Sequence, residues 1–393
     1  MPSPMRVDAS DDALDTLFQP FADGVLSWPE EGGALFLRAR DGVGLRQRPR
    51  PGLVCEQDYK PAIDALHRGG LDTVDVDSLP ADRRYPLVLV LPPRQRDEAR
   101  ALYAQALART APGGRVVACL SNDEGARSGE DDLGRIAGKV GSLSKRKCRV
   151  FWTAPLDGPA DPALAAAWAG GDRPREILGG RFLSRPGVFA WDRVDPASAL
   201  LAEHLPADLA GRAADLGAGY GYLSAELLAR CPRITALDVY EAQARALQLA
   251  RINLQRVPTS VPMEFFWHDV TAGLDDRGYD VIVSNPPFHA QSREERPDIG
   301  RRFIAVAAQA LNPGGRLWLV ANRHLPYEVV LDERFGDVRT VAQQGGFKVV
   351  EAIKAKASGK SAGVATGMAS GKPAGKFAGK YAGKPGGKGG ARA

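Results

Sequence analysis

The chain has 393 residues, too many for one ordinary core and enough for two domains with a remainder. Its composition, 44% hydrophobic and 25% charged, is that of an average soluble protein, and no apolar run reaches the roughly 18 residues that span a membrane. The net charge of +5 hides an asymmetry: residues 354–393 carry nine Lys and Arg and no acid, so a mildly acidic body bears a basic tail suited to a polyanionic partner.

The N-terminus, MPSPMRVDASDDALDTLFQPF, has acidic residues where an export signal needs a basic start and an unbroken apolar stretch, so a cytoplasmic protein is expected. Cys55, Cys119, Cys148 and Cys231 lie far apart without a CxxC pair, and they read as reduced, packed thiols. The histidines show no ligand spacing either, so no metal is expected.

In the first half, apolar runs of strand length alternate with helical stretches, the pattern of an α/β fold with a mainly parallel sheet. YPLVLVLPPRQ (85–95) is a buried strand ending in a proline turn, and TAPGGRVVACLSND (110–123) contains a further strand. LSKRKCRVF (143–151) holds Lys145, Arg146, Lys147 and Arg149, the densest basic cluster before the tail and a candidate phosphate-binding edge. Proline, glycine and alanine gather over residues 154–180, which predicts an interdomain linker.

The second half repeats this order. Tyr85, Pro92 and Pro93 match Tyr279, Pro286 and Pro287, and TAPGGRVVACLSND resembles LNPGGRLWLVANRH (311–324), which predicts an internal duplication. Only the second copy has a cofactor signature. After a strand at RAADL come Asp215, Gly217, Gly219 and Gly221, and then the helical run YLSAELLAR. A glycine turn between strand and helix lets a ligand approach backbone N–H groups. Its spacing, with an acid two residues before the first glycine, favours S-adenosylmethionine over a dinucleotide. Asp238, read as the end of the strand ITALD, is expected to accept the ribose hydroxyls, and Asp269, after FFWHD, the adenine amino group.

YDVIVSNPPFH (279–289) places Asn285 between a buried strand and two prolines that force a rigid turn. An exocyclic amine on a nucleobase is a poor nucleophile, because its lone pair is delocalised into the ring. Accepting its two N–H bonds, by the Asn285 side-chain oxygen and the Pro286 carbonyl, aims that lone pair at the sulfonium methyl. Pro287 stiffens the turn, Phe288 stacks on the base and His289 lines its pocket.

DLGAGYGYL, LDVYEAQARALQLARINL, SNPPFH and ANRHLPYEVVLDERFG, in that order, resemble the bacterial ribosomal RNA guanine-N2 methyltransferases, most closely the small-subunit (16S) branch. The resemblance covers residues 181–354 and includes SRPGVFAWDRVDPASALL before the cofactor turn. It implies two tandem Rossmann-like methyltransferase domains, the N-terminal one degenerate, each with a mainly parallel sheet, and a ribosomal RNA or 30S subunit substrate. A degenerate domain is expected over 1–153, the linker over 154–180, and a catalytic domain over 181–356 ending in an antiparallel hairpin at VRTVAQ and FKVVEAIK. A 23S rRNA enzyme, an adenine-N6 or glutamine-N5 methyltransferase, and a non-catalytic RNA-binding protein are the alternatives. Over 357–393 a lysine recurs every four residues from Lys372 to Lys388 among glycine and alanine, so a disordered tail contacting RNA phosphates is expected on a monomeric protein.

Overall fold

A computed structural model of the protein describes residues 11–74, 79–287 and 297–356. Two seven-stranded sheets follow one another. The first is built from β1 (Ala34–Leu37), β2 (Leu53–Glu56), β3 (Thr73–Val74), β4 (Tyr85–Val90), β5 (Thr110–Ser121), β6 (Val140–Lys145) and β7 (Cys148–Thr153). After a small hairpin of β8 (Arg175–Ile177) and β9 (Phe182–Ser184), the second comprises β10 (Ala210–Leu216), β11 (Arg233–Glu241), β12 (Met263–Trp267), β13 (Tyr279–Ser284), β14 (Leu311–Asn322), β15 (Asp337–Gln344) and β16 (Phe347–Ile353).

The strand orders, β3-β2-β1-β4-β5-β7-β6 and β12-β11-β10-β13-β14-β16-β15, are the same topology twice. In each sheet five parallel strands are closed by an antiparallel hairpin. The apolar runs YPLVLV and YDVIVS form the fourth strand in sequence of each sheet. Helices cover both faces, so these strands are apolar without alternation. The duplication extends to an irregularity: Tyr85 pairs with Thr110 but Leu87 with Arg115, and Tyr279 pairs with Leu311 but Val281 with Arg316. The Pro-Gly-Gly segments are therefore bulged parts of β5 and β14 rather than turns ahead of them.

The segment read as a linker carries structure of its own. Helix Pro162–Gly171, capped by the Asp161 carboxylate, packs on helix Arg96–Arg109, and the Arg100 and Arg135 guanidinium groups lie 5.1 and 5.5 Å from the Trp168 ring. Ala165 and Trp168 in this stretch are thus packing residues.

The two halves meet where the chain leaves β2 and β11. Tyr59 and Gln243 form an antiparallel bridge, with Lys60 N donating to the Ala242 carbonyl and Ala244 N to the Asp58 carbonyl, both at 2.8 Å. Trp267 Nε1 donates to the Ala242 carbonyl at 2.8 Å, and Arg245 lies within 3.2 Å of Asp58, Glu98 and Asp172. No helix among the described residues is long and apolar enough to cross a membrane.

Candidate active site

Parallel strands bring the ends of β10, β11, β12 and β13 to one edge, and the predicted site residues gather there. Gly217, Gly219 and Gly221 all take positive φ, +80°, +57° and +93°, which only glycine adopts without strain. Gly221 starts helix Tyr222–Arg230, and a Cβ added at Gly219 would meet nothing within 4 Å, so the turn opens onto space. Asp215, fully buried at its foot, accepts the Ser224 hydroxyl through Oδ2 at 2.7 Å, while its Oδ1 has no partner. Burial pushes its pKa up to about 7. A carboxylate starved of solvation beneath a glycine cradle suits a cationic ligand whose charge favours its ionised form.

The acid beside this turn is not the one expected. Asp238 lies inside β11, because that strand runs on to Glu241, and its carboxylate takes the Arg212 guanidinium at 2.7 Å and the Tyr279 hydroxyl at 2.6 Å. It is a buried structural ion pair. Glu241, at the strand end, accepts from Gly219 N and Gln243 N at 2.8 Å each, and burial raises its pKa. Leu216 pairs with Tyr240, so residue 241 stands beside the first glycine. The acid at the strand end beside the glycine turn, the place expected of Asp238, is thus Glu241. Asp269 follows β12 as expected, but its Oδ1 accepts Thr271 N and Oγ1 at 2.8 and 2.7 Å and caps a short helical turn.

Asn285 follows β13 with its amide held from behind. Its Nδ2 donates to Asp195 Oδ2 at 2.9 Å and to Ser198 Oγ at 2.8 Å, and its Oδ1 is buried without a partner. Asp195 and Ser198 belong to the start of helix Pro196–Glu203, where Asp195 is the N-cap. The only local signal for them is the capping pattern Asp195-Pro-Ala-Ser198. Asn253, also missed, accepts from Leu183 N and donates to the carbonyls of Leu183 and Tyr220, tying β9 to the glycine turn. Pro286 is buried and Pro287 exposed; Phe288 and His289 lie outside the described residues.

The same edge of the first sheet is built differently. Strand register places Phe36 where Asp215 stands, Arg38 and Arg40 for Gly217 and Gly219, Gln57 for Glu241 and Leu91 for Asn285. Arg38 keeps the positive φ of its glycine counterpart, +53°, and its guanidinium binds Glu98 at 2.9 Å. Arg40 lies 3.1 Å from Asp11. Gln57 copies the fold of Glu241 by accepting from Tyr59 N, yet its Nε2 donates to the Ala39 carbonyl, where Glu241 instead accepts from the turn. A cavity of about 290 Å³ remains there, lined by Arg38, Arg40, Gln57, Leu91, Arg94 and Glu98 among others.

The basic cluster divides. Arg146 and Lys147, with φ of +50° and +55°, form the two-residue tip of the β6–β7 hairpin and are exposed, as is Lys145. Arg149 points elsewhere and pairs with Glu130 and with Ser142 Oγ at 3.0 Å, so its charge serves the sheet.

Comparison with known proteins points to methyltransferases. The sequence pattern of the methyltransferase small domain matches residues 179–351. The ribosomal RNA small subunit methyltransferase C of Salmonella paratyphi A is 32% identical over 268 residues, covering 68% of this chain and 75% of that protein. The protein of that name from Salmonella choleraesuis is 33% identical over 270 residues, with the same coverage. Among solved structures, the T. thermophilus 16S rRNA N2 G1207 methyltransferase in complex with AdoMet and guanosine superposes with a TM-score of 0.70 at 26% identity, covering 87% of this chain and 91% of that one.

Proposed function

The chain belongs to the ribosomal RNA small subunit methyltransferase C family, and we propose that it methylates the exocyclic N2 amine of a guanine in 16S rRNA. S-adenosylmethionine is the cofactor, and when bound it supplies an electrophilic methyl group on a sulfonium. Asp215, the glycine turn and Glu241 are the residues that would hold it, with Asp269 toward the adenine. The observation that carries the reading is Asn285: a buried amide oxygen without a partner, on a side chain whose nitrogen is already tied down. An acceptor fixed in that state costs no reorganisation when it takes an amine N–H, and its field acts as positive charge develops on the nitrogen. Pro286, buried and rigid, contributes the second acceptor through its carbonyl; Phe288 and His289, which lie outside the described residues, are the proposed lining of the base pocket. No strong general base is needed, since the amine loses its proton after the methyl has arrived.

The exposed Lys145, Arg146 and Lys147, and the lysines of residues 357–393, which lie outside the described residues, supply phosphate contacts that position RNA without reading its sequence. The expected setting is a cytoplasmic monomer acting on the 30S subunit or its RNA, with the domain limits given above.

The test is radiolabelled methyl transfer to naked 16S rRNA, 30S and 50S particles, with the product identified by mass spectrometry. Label is expected as N2-methylguanosine in 16S rRNA, and a methylated adenine or labelled 23S rRNA would overturn the assignment. Asn285→Ala is expected to slow single-turnover transfer by about a hundredfold to a thousandfold without changing cofactor affinity. Deletion of residues 357–393 should lower the salt dependence of RNA binding while leaving the modified nucleotide the same.

A further inference from the structure

An asparagine amide has two ends of nearly equal size and opposite polarity, so whether Asn285 presents an oxygen or an NH2 group to the reacting amine is decided by what stands behind it. Two oxygens stand behind it. Asp195 Oδ2, which as a carboxylate oxygen only accepts, lies 2.9 Å from Asn285 Nδ2, and Ser198 Oγ lies 2.8 Å from the same atom. Turning the amide over would set its oxygen against the carboxylate and point its donors at an amine that itself donates.

The inactive half provides an internal control. The first of two short helices ahead of β1, Asp12–Leu17, is capped by Asp11, whose Oδ1 accepts Leu14 N at 3.0 Å, just as Asp195 caps Pro196–Glu203 by accepting Ser198 N at 2.8 Å. Asp11 is thus the counterpart of Asp195, Leu14 of Ser198, and Leu91 of Asn285. The capping aspartate is present in both halves, where a helix needs it in either case. The serine and the asparagine are both leucine in the first half, and there Leu14 and Leu91 pack in one apolar cluster. Asp11, with no amide to hold, lies beside Arg40 instead.

We infer that Asp195 and Ser198 are positioning residues for methyl transfer: they set the polarity of the Asn285 amide, and the Asp195 charge strengthens its oxygen as an acceptor. The inference rests on the reading of Asn285 as the amine acceptor. Capping alone accounts for Asp195 Oδ2 on Ser198 N, but not for the second bond it takes from Asn285, nor for the side chain of Ser198. A carboxylate behind the amide polarises it through the shared hydrogen bond, so the effect reaches the oxygen that faces the amine.

Asp195→Asn separates the two roles, because asparagine caps a helix as well as aspartate does while removing the charge and the acceptor-only character. In the full-length protein, Asp195→Asn and Ser198→Ala are each expected to lower the single-turnover methylation rate by about tenfold to a hundredfold, the range for groups that orient a reacting ligand from behind. Melting temperature, S-adenosylmethionine affinity by calorimetry and KM for RNA should stay near wild-type values. The decisive measurement is a cycle with Asn285→Ala. A positioning role predicts that Asp195→Asn has no further effect on the residual rate once Asn285 is gone, whereas a purely structural role predicts the same loss in both backgrounds. A wild-type rate in Asp195→Asn, or a full additional loss in the double variant, would overturn the inference while leaving Asn285 in place. A wild-type rate in Asn285→Ala would instead remove the reading on which it rests.

Discussion

The two halves share one sheet order, one bulge and one helix-capping aspartate before the first strand, yet among the described residues the Asp215 and glycine turn proposed to hold S-adenosylmethionine belong to the second alone. The difference centres on the ends of the first two strands of each sheet and the positions just beyond them. Where the second half has Gly217, Gly219, Asp215 and Glu241, the first has Arg38, Arg40, Phe36 and Gln57, and the two arginines line the cavity at that edge. The fold tolerates either version, because Arg38, Arg40 and Gln57 lie beyond the strand ends, while Phe36, within β1, joins the apolar core of its own half. A domain of this kind thus loses its chemistry without losing its fold, and remains useful as a support: the loop after β2 pairs with the loop after β11, directly beyond Glu241.

The most severe way to break the contrast is to move one residue across it. Gly219→Arg installs the counterpart of Arg40 and is expected to weaken S-adenosylmethionine binding more than about a thousandfold, or about 4 kcal/mol. The added guanidinium fills the space above the turn and repels a sulfonium, and φ at +57° adds strain of about 1–2 kcal/mol to folding. Calorimetry is the measurement; affinity within threefold of wild type would mean that the arginines of the first half are bystanders.

A second break concerns support. Arg245→Met leaves Asp58, Glu98 and Asp172 gathered without their shared cation, and Asp58 and Glu98 are buried. A loss of about 3 kcal/mol in urea denaturation at neutral pH is expected, together with weaker cofactor binding through the displaced loop at Ala242 and Gln243. An unchanged midpoint would show that the bridge between Tyr59 and Gln243 suffices.

A smaller effect sharpens the comparison. Each half buries a carboxylate whose pKa is pushed up to about 7 by desolvation, Asp215 in one and Glu56 in the other. For Glu56 the folded value lies above the unfolded one, so the folded state binds the extra proton. Stability from this group is whole below about pH 4.5 and is lost as pH rises toward 7. Glu56→Gln removes that loss and should stabilise the protein by about 1–2 kcal/mol at pH 8 with almost no effect at pH 4. Thermal melts at the two values test this, and an equal change at both would assign the effect to packing.

Much of this was legible in the residues. The apolar runs at 85–90 and 279–284 with their proline turns, the glycine turn from 217 to 221 and Asn285 are local patterns, and a strand followed by glycine or proline has few ways to fold. The repeat at 85 and 279 predicted the doubled architecture for the same reason. What the sequence did not decide is which polar groups meet. Asp238 and Glu241 lie three residues apart, both acidic, and only the length of β11 and its pairing of Tyr240 with Leu216 put the second at the site and the first under Arg212. Asp195 and Ser198 reach Asn285 across about 90 residues of chain, and Arg245 collects acids from three separate segments. Local pattern determines an element because backbone hydrogen bonds and side-chain period act within a few residues. The partners of a buried charge are set by sheet order and helix placement, which exist only once the whole chain has packed.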